Sequence, residues 1–125
     1  YDGELYLELH RGTLTAKQQI KKNNRMAENL LRMLELCLTR SAVATHTPAD
    51  GTALRPLWNT LLVNQFHDIL PGSCIAAAND RSLHDMAEML HTGSELLRSW
   101  FAPAQNCYTV LNPLDEPCRR LPPAL

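Results

Sequence analysis

A long segment of the chain reads AENLLRMLELCLTRSA, from residue 27 to residue 42. Its apolar side chains recur at intervals of three and four residues, which is the spacing of one buried face on an α-helix. That face comprises Ala27, Leu30, Leu31, Leu34, Leu38 and Ala42. The pattern predicts a long amphipathic helix over about residues 15–45, with Thr13 or Thr15 as its N-cap.

Two further amphipathic helices follow. After the loop-forming stretch HTPADGT, a second helix is predicted over about residues 53–69, and Pro71-Gly72 ends it. Ser73 is the predicted N-cap of a third helix over about residues 74–100. The apolar residues at helical spacing are Leu54, Leu57, Trp58, Leu61 and Leu62 in the second helix, and Leu83, Met86, Ala87, Leu90 and Leu97 in the third. Three such faces joined by short loops can be buried only against one another, so the predicted fold is all-α, a three-helix bundle.

Short strand-like tails are predicted at both ends of the bundle. GELYLELH, within residues 1–14, alternates apolar and polar side chains with the period of a strand, and NCYTVLNP, within residues 102–125, alternates in the same way. We therefore expect a strand and turn over 1–14, a helical middle domain over 15–101, and a linker with the start of another domain over 102–125. The sequence begins without methionine and ends in RRLPPAL, so we expect a fragment of a larger multidomain protein.

The composition narrows the classes of function. The chain has 125 residues, of which 45% are hydrophobic, and a formal net charge of -1, which is typical of a soluble domain and argues against nucleic-acid binding. No segment approaches the roughly 18 apolar residues that a membrane span needs. The cysteines are Cys37, Cys74, Cys107 and Cys118. Their spacing fits neither a zinc ribbon nor a disulfide framework, so we expect reduced thiols and a cytoplasmic location.

The pair His67-Asp68 lies just before the Pro-Gly turn, in NQFHDILPGS. The simplest interpretation is a polar helix end in solvent. However, successive helical residues are rotated by about 100°, which places His67 beside Val63 and away from the main apolar stripe. Zinc needs three or four converging ligands, so His67 can serve only a metal site that is built mostly on another domain. Asp68 can then accept hydrogen bonds from substrate hydroxyl groups. Residue chemistry alone leaves both interpretations open.

Two other groups of polar residues are weaker candidates. His10 and Arg11 precede Gly12 at the end of the predicted first strand, where site residues are common, but an exposed basic turn is the simpler interpretation. The early turns of the first helix carry a basic cluster formed by Lys17, Lys21, Lys22 and Arg25. A basic cluster of this kind is most simply a solvated face. It also fits an alternative class of function, a non-enzymatic helical module that binds an acidic protein partner.

Two blocks together resemble a known family. GELYLELHRGTLTAKQQIKKNNRMAENLLRMLE begins at Gly3, and LWNTLLVNQFHDILPGSCI begins at Leu57. In this order they are similar to the middle helical region of glycoside hydrolase family 38, the α-mannosidases, in its bacterial and cytosolic branch. The resemblance covers about residues 1–101. The stretch YTVLNPLDEPCRR, which begins at Tyr108, is similar to the opening strand of the β-sandwich region that follows in such enzymes.

The resemblance implies an activity and a set of site residues. It implies a zinc-dependent retaining α-mannosidase that hydrolyses terminal α-linked mannose from glycans or oligosaccharides. His67 is then the last zinc ligand, Asp68 contacts hydroxyl groups of the bound mannose, and His10 lines the sugar pocket. Leu14 and Cys74 depart from the family pattern, which usually has tyrosine and serine at these positions. By the resemblance, position 14 belongs to the wall of the pocket, so the change from tyrosine to leucine alters that wall.

The resemblance also implies what lies outside the chain. In the family, a β/α-barrel catalytic domain precedes this bundle and supplies most of the zinc site together with the catalytic carboxylates. No catalytic residue is therefore assigned in this chain, and the isolated fragment is expected to be inactive. The bundle is expected to pack against the catalytic and β-sandwich domains of its parent, with no nucleic-acid or membrane partner. Formation of a homo-oligomer by the parent is left open.

Overall fold

The structure is a computed structural model that describes residues 2–3 and 10–100. Within them the chain forms three helices, α1 (Gln18–Thr45), α2 (Arg55–Asn64) and α3 (Ala76–Trp100), and no strand. The predicted all-α three-helix fold is confirmed. The strand-like tails predicted at the two ends fall almost entirely outside the described residues, and the domain limits stay predictions.

The apolar faces of the three helices meet in one core. Each helix contributes buried side chains that are three or four positions apart, because this spacing keeps them on one face. The buried cluster consists of Ala27, Leu31, Leu34, Leu54, Leu57, Leu61, Met86 and Met89. Burial of one leucine side chain removes apolar surface from water and contributes roughly 1.5–3 kcal/mol. The three apolar faces are therefore buried against one another, as the periodicity of the sequence predicted.

The largest helix–helix interface lies between α1 and α3. Gly93 is buried in it, and a Cβ atom at this position would come within 2.8 Å of Leu30 Cδ2. The absence of a side chain at Gly93 therefore lets the two long helices approach closely. α2 is shorter and completes the core from the third side.

α1 begins later than the sequence predicted. Lys17 precedes the helix in the left-handed conformation, with φ 47°, and no side chain caps the helix end. The Thr15 hydroxyl donates instead to the carbonyl oxygen of Gly12, at 3.1 Å. The prediction of a threonine N-cap was therefore wrong, because residues 10–17 form a series of turns that use these groups locally.

α2 ends at Asn64, before its predicted end near residue 69. The side-chain amide of Gln65 donates to Asn24 Oδ1 and to Glu28 Oε1 on α1, at 3.0 Å each. These bonds hold the start of the α2–α3 connection against α1, and Pro71 disfavours helical backbone in the residue before it. The predicted helix was too long because residues 65–70 contain neither proline nor glycine, so the sequence gives no stop signal before Pro71.

Two general properties of the chain are visible in the described residues. None of the three helices is long and apolar enough to cross a bilayer. Cys37 is buried and Cys74 is partly buried, and both thiols are free. Burial raises the pKa of the Cys37 thiol, and the nearby Arg40 opposes this effect. Cys107 and Cys118 lie outside the described residues.

Leu61 and Leu62 provide a matched test of the core. Leu61 is fully buried, whereas Leu62 is 58% exposed although the sequence pattern placed both on one stripe. We expect Leu61→Ala to lower the free energy of unfolding by about 2–5 kcal/mol, because it leaves a cavity. Leu62→Ala is expected to change it by about 0.5 kcal/mol or less. Denaturant unfolding of the chain followed by circular dichroism measures both, and equal effects would contradict this core.

Candidate functional site

His67 and Asp68 lie in the connection between α2 and α3, which we call the site turn (residues 65–75). The carbonyl oxygen of Phe66 accepts hydrogen bonds from the backbone N–H groups of Ile69, at 2.9 Å, and of Leu70, at 3.1 Å. These bonds close a tight turn around the His-Asp pair. The pair is therefore presented on a turn and not on the last turn of a helix, which corrects the sequence-based expectation.

The imidazole of His67 points away from the bundle. Its side chain is 77% exposed, and its Nε2 atom lies 3.7 Å from Asp68 Oδ2, which is longer than a hydrogen bond. The ring packs at a tilt on the Phe66 ring, with centroids 4.1 Å apart. This contact orients the imidazole while it leaves the ring nitrogens accessible from outside the bundle.

The carboxylate of Asp68 is also accessible. Its side chain is 57% exposed. The hydroxyl of Ser73 lies 3.4 Å from the Asp68 carbonyl oxygen and 3.5 Å from Asp68 Oδ1, so it donates weakly back into the turn. Ser73 therefore does not cap α3, which begins at Ala76, and the prediction of that cap was wrong. Most of the acceptor capacity of the carboxylate remains available to hydroxyl groups of a ligand.

One lysine of α1 connects the site turn to the segment that precedes α1, which we call the N-terminal turn (residues 10–17). Lys21 Nζ donates to the carbonyl oxygens of Ala16 at 2.6 Å, Leu70 at 3.0 Å and Pro71 at 3.4 Å. The side chain is partly buried, and this desolvation lowers the pKa of Lys21. The basic cluster is thus not simply a solvated face, because Lys21 is used to join two turns.

A second contact between these turns involves Gly72 and Lys17. Gly72 has φ 82°, and a Cβ atom on it would lie 3.2 Å from the Ala16 carbonyl oxygen and 3.2 Å from Lys17 Cβ. Lys17 Nζ donates to the carbonyl oxygen of Cys74 at 2.8 Å and lies 3.6 Å from its sulfur. The Pro-Gly signal in the sequence therefore marks more than a helix stop, because only glycine combines this backbone conformation with such a close approach.

His10 lies at the start of the N-terminal turn, where it is exposed. Its carbonyl oxygen accepts a hydrogen bond from the Thr13 backbone N–H, at 3.2 Å. His10 is therefore on a different turn from His67 and Asp68. The two turns border a groove of about 390 Å³ whose lining residues are Thr13, Leu14, Lys21, Asn24, Arg25, Leu70 and Pro71.

One group of possible metal ligands appears away from the site turn. Among the described residues, His84, Asp85 and Glu88 on α3 bring their ligand atoms within 4.8 Å of one another. Asp85 is already paired with Arg81, whose Nε donates to Asp85 Oδ1 at 2.8 Å. This pairing raises the pKa of Arg81 and leaves Asp85 committed to a cation of the same helix. We therefore assign no metal site to this group.

Comparison with known proteins places the chain among mannosidase sequences. The family described as alpha mannosidase middle domain matches residues 8–102. Alpha-mannosidase 2C1 from Homo sapiens is 42% identical over 99 residues, which are 76% of this chain and 9% of that protein. Alpha-mannosidase from Saccharomyces cerevisiae is 42% identical over 77 residues, 60% of this chain and 7% of that protein. The chain therefore spans less than a tenth of the length of these relatives. No solved structure matches it.

Gly72 and Gly51 provide a matched test of the contact between the turns. We expect Gly72→Ala to lower the free energy of unfolding by about 1–3 kcal/mol, because an alanine there has an unfavourable φ and meets Ala16 and Lys17. A Cβ atom added at Gly51 would meet no atom within 4 Å, so Gly51→Ala is expected to change stability by about 0.5 kcal/mol or less. Thermal or denaturant unfolding of both variants checks this, and a neutral Gly72→Ala would rule out the close approach.

Proposed function

Because the chain belongs to the alpha mannosidase middle domain family, we propose that it forms part of a zinc-dependent retaining α-mannosidase and contributes His67, Asp68 and His10 to its active site. The proposed substrate is terminal α-linked mannose in glycans or oligosaccharides. The observation that carries the proposal is the exposed His-Asp pair on a turn that α1 holds in place. A structural histidine would pack inward, whereas the imidazole of His67 is exposed.

The chemistry of the described residues fits a contribution of one ligand to zinc. Zinc sites use imidazole nitrogen and carboxylate oxygen, with three or four protein ligands. The His67 ring nitrogens are accessible, and the other ligand group among the described residues lies on α3 and is paired with Arg81. We therefore propose that the remaining ligands come from other parts of the parent protein. When bound, zinc supplies Lewis-acid binding of the sugar hydroxyl oxygens.

The role proposed for this chain is to bind and orient the sugar. An ionised Asp68 accepts hydrogen bonds only, so it selects hydroxyl groups that donate to it. His10 approaches the same sugar from the N-terminal turn. Retaining glycosidases break the glycosidic bond with two carboxylates that act as nucleophile and acid/base. We assign both of these to the catalytic domain of the parent, so the isolated chain has no hydrolytic activity of its own.

Exposed apolar side chains near His67 support the proposal that another domain packs on this side of the bundle. Leu62, Val63 and Phe66 are 58%, 65% and 54% exposed, and they lead directly to His67. Contiguous apolar side chains on a surface typically mark an interface. We propose that the catalytic domain packs here and brings its ligands to His67, and that the β-sandwich domain also packs against the bundle. The free thiols of Cys37 and Cys74 agree with the proposed cytoplasmic location.

The alternative function, a module whose basic cluster binds an acidic partner, has less support. Lys17 and Lys21 direct their ammonium groups at backbone carbonyls within the bundle. Arg25 pairs with Glu28 at 3.1 Å. Lys22 and Arg25 are therefore the exposed members of the cluster, and Arg25, whose side chain is 76% exposed, already pairs with Glu28. One lysine and one paired arginine are a weak basis for recruiting an acidic protein.

His67 and His84 test the proposed zinc role in the full-length parent. We expect His67→Ala to lower zinc content and mannosidase activity by more than about 100-fold, because a metal ligand is lost. The bundle should stay folded, since His67 is outside the core. His84→Ala removes an exposed histidine from α3, with 66% of its side chain accessible against 77% for His67, and should change neither property. Metal analysis and hydrolysis of a chromogenic α-mannoside measure the effects, and unchanged zinc in His67→Ala would refute the assignment.

Asp68→Asn tests the sugar contact separately from the metal. The amide keeps the shape of the side chain but loses the charged acceptor, and charged hydrogen bonds contribute about 1.5–3 kcal/mol. We expect kcat/KM of the parent to fall by about 10- to 100-fold while the zinc content is retained. Asp80→Asn, an exposed change on α3, is the control. Steady-state kinetics that are equal for both variants would exclude a role of Asp68 in sugar binding.

A further inference from the structure

Resting on the proposed function, we propose that Lys21 is a positioning residue that fixes the turn of His67 and Asp68 relative to the turn of His10. The proposed zinc ligand and the two sugar contacts would then be held in one arrangement by a side chain that touches neither zinc nor sugar. Lys21 has this role because of its place on the first turn of α1, between the two turns.

The three hydrogen bonds of Lys21 have acceptors on both turns. Ala16 belongs to the N-terminal turn, whereas Leu70 and Pro71 belong to the site turn. A lysine ammonium group has three N–H donors and no acceptor, so these carbonyls use its full donor capacity. A displacement of either turn relative to α1 would therefore break at least one of these bonds.

The partners of Lys21 favour a positioning role over a purely electrostatic one. Its acceptors are backbone carbonyls, and none of the ion pairs among the described residues includes it. A partly buried ammonium group needs acceptors because it has lost water. Carboxylate side chains could satisfy the charge, but they would leave the backbone free to move. Backbone acceptors fix the course of the chain itself.

The position of Leu70 is coupled to that of the His-Asp pair. The N–H of Leu70 donates to the Phe66 carbonyl oxygen, and the carbonyl oxygen of Leu70 accepts from Lys21. His67 and Asp68 lie inside the turn that the first of these bonds closes. A shift of the Leu70 peptide group would therefore also move His67 and Asp68, which are only two or three residues away in the same turn.

The neighbouring contacts of Gly72 and Lys17 also hold the N-terminal turn against the site turn. Gly72 approaches the Ala16 carbonyl oxygen, which is also an acceptor of Lys21. Lys17 Nζ adds a bond to the carbonyl oxygen of Cys74, farther along the site turn. Lys22, the next residue in the chain, is exposed and supplies a control with the same charge.

The test compares Lys21→Met, Lys22→Met and Leu61→Ala in the full-length parent. Amide hydrogen exchange of peptides within residues 65–75, the zinc dissociation constant from chelator competition, and kcat/KM are measured for each. We expect Lys21→Met to speed exchange in the site turn by about 10-fold or more and to raise the zinc dissociation constant by about 10- to 100-fold. Saturating zinc should then restore part of its activity. Lys22→Met should match the wild-type protein.

Leu61→Ala separates positioning from loss of stability. It removes side-chain atoms from the core and keeps the backbone bond from the Gln65 N–H to the Leu61 carbonyl oxygen, so it should lower the unfolding midpoint and leave the zinc dissociation constant unchanged. If Lys21→Met does not yield folded protein, Gly72→Ala disturbs the contact between the two turns from within the site turn. It should also raise the hydrogen-exchange rate of the site turn and the zinc dissociation constant. The positioning role would be overturned if hydrogen exchange in the site turn were unchanged in Lys21→Met and in Gly72→Ala. It would also be overturned if Leu61→Ala weakened zinc binding in proportion to its loss of stability, as Lys21→Met does. Zinc retained in His67→Ala would instead overturn the proposed function, while the exchange result would still decide the contact between the turns.

Discussion

A partly buried ammonium group must be surrounded by acceptors, and in this bundle the acceptors of Lys21 are backbone carbonyls of two separate turns. If either turn moved away, the ammonium group would lose acceptors while it stayed partly desolvated, which is unfavourable. This energetic penalty holds the two turns against α1. The three helices form a rigid scaffold, but rigidity of helices does not by itself fix a loop. The lysine contacts transmit the rigidity of α1 to the segment that carries His67 and Asp68.

α2 is a short helix that has one buried apolar face and one exposed apolar face. Leu57 and Leu61 face the core, whereas Leu62 and Val63 are exposed and lead towards His67. A regular helix extended past Asn64 would keep His67 beside Val63, but it would place Asp68, seven positions after Leu61, back on the core stripe, so the early end of α2 matters most for Asp68. The side-chain bonds of Gln65 to α1 make that early end stable. The helix thus contributes to stability on one side and leaves apolar side chains exposed on the other.

The sequence predicted the helices and the core but not the architecture of the turns. Helical spacing in α1 depends only on neighbours a few positions away, so Leu31 and Leu34 could be assigned to the core from sequence alone. The partners of Gln65 are 41 and 37 positions away, and Lys21 reaches carbonyls 49 and 50 positions away. Such contacts leave no periodic signal. His67 could be predicted to lie off the core stripe, but its tight turn and the contacts that fix it could not.

Besides Pro71-Gly72, the lysines at the start of α1 are a sequence feature that agrees with these contacts. A helix N-terminus is stabilised by acidic side chains, yet the first turn of α1 contains none; Lys17 directly precedes the helix and Lys21 lies in its first turn. Acidic residues at these positions would improve the interaction with the helix dipole, but they would repel the carbonyl oxygens of the site turn. The chain therefore gives up some intrinsic stability of α1 for a fixed connection between two turns. A sequence that violates a local preference in this way indicates a constraint from elsewhere in the structure, and here that constraint is the position of the proposed site.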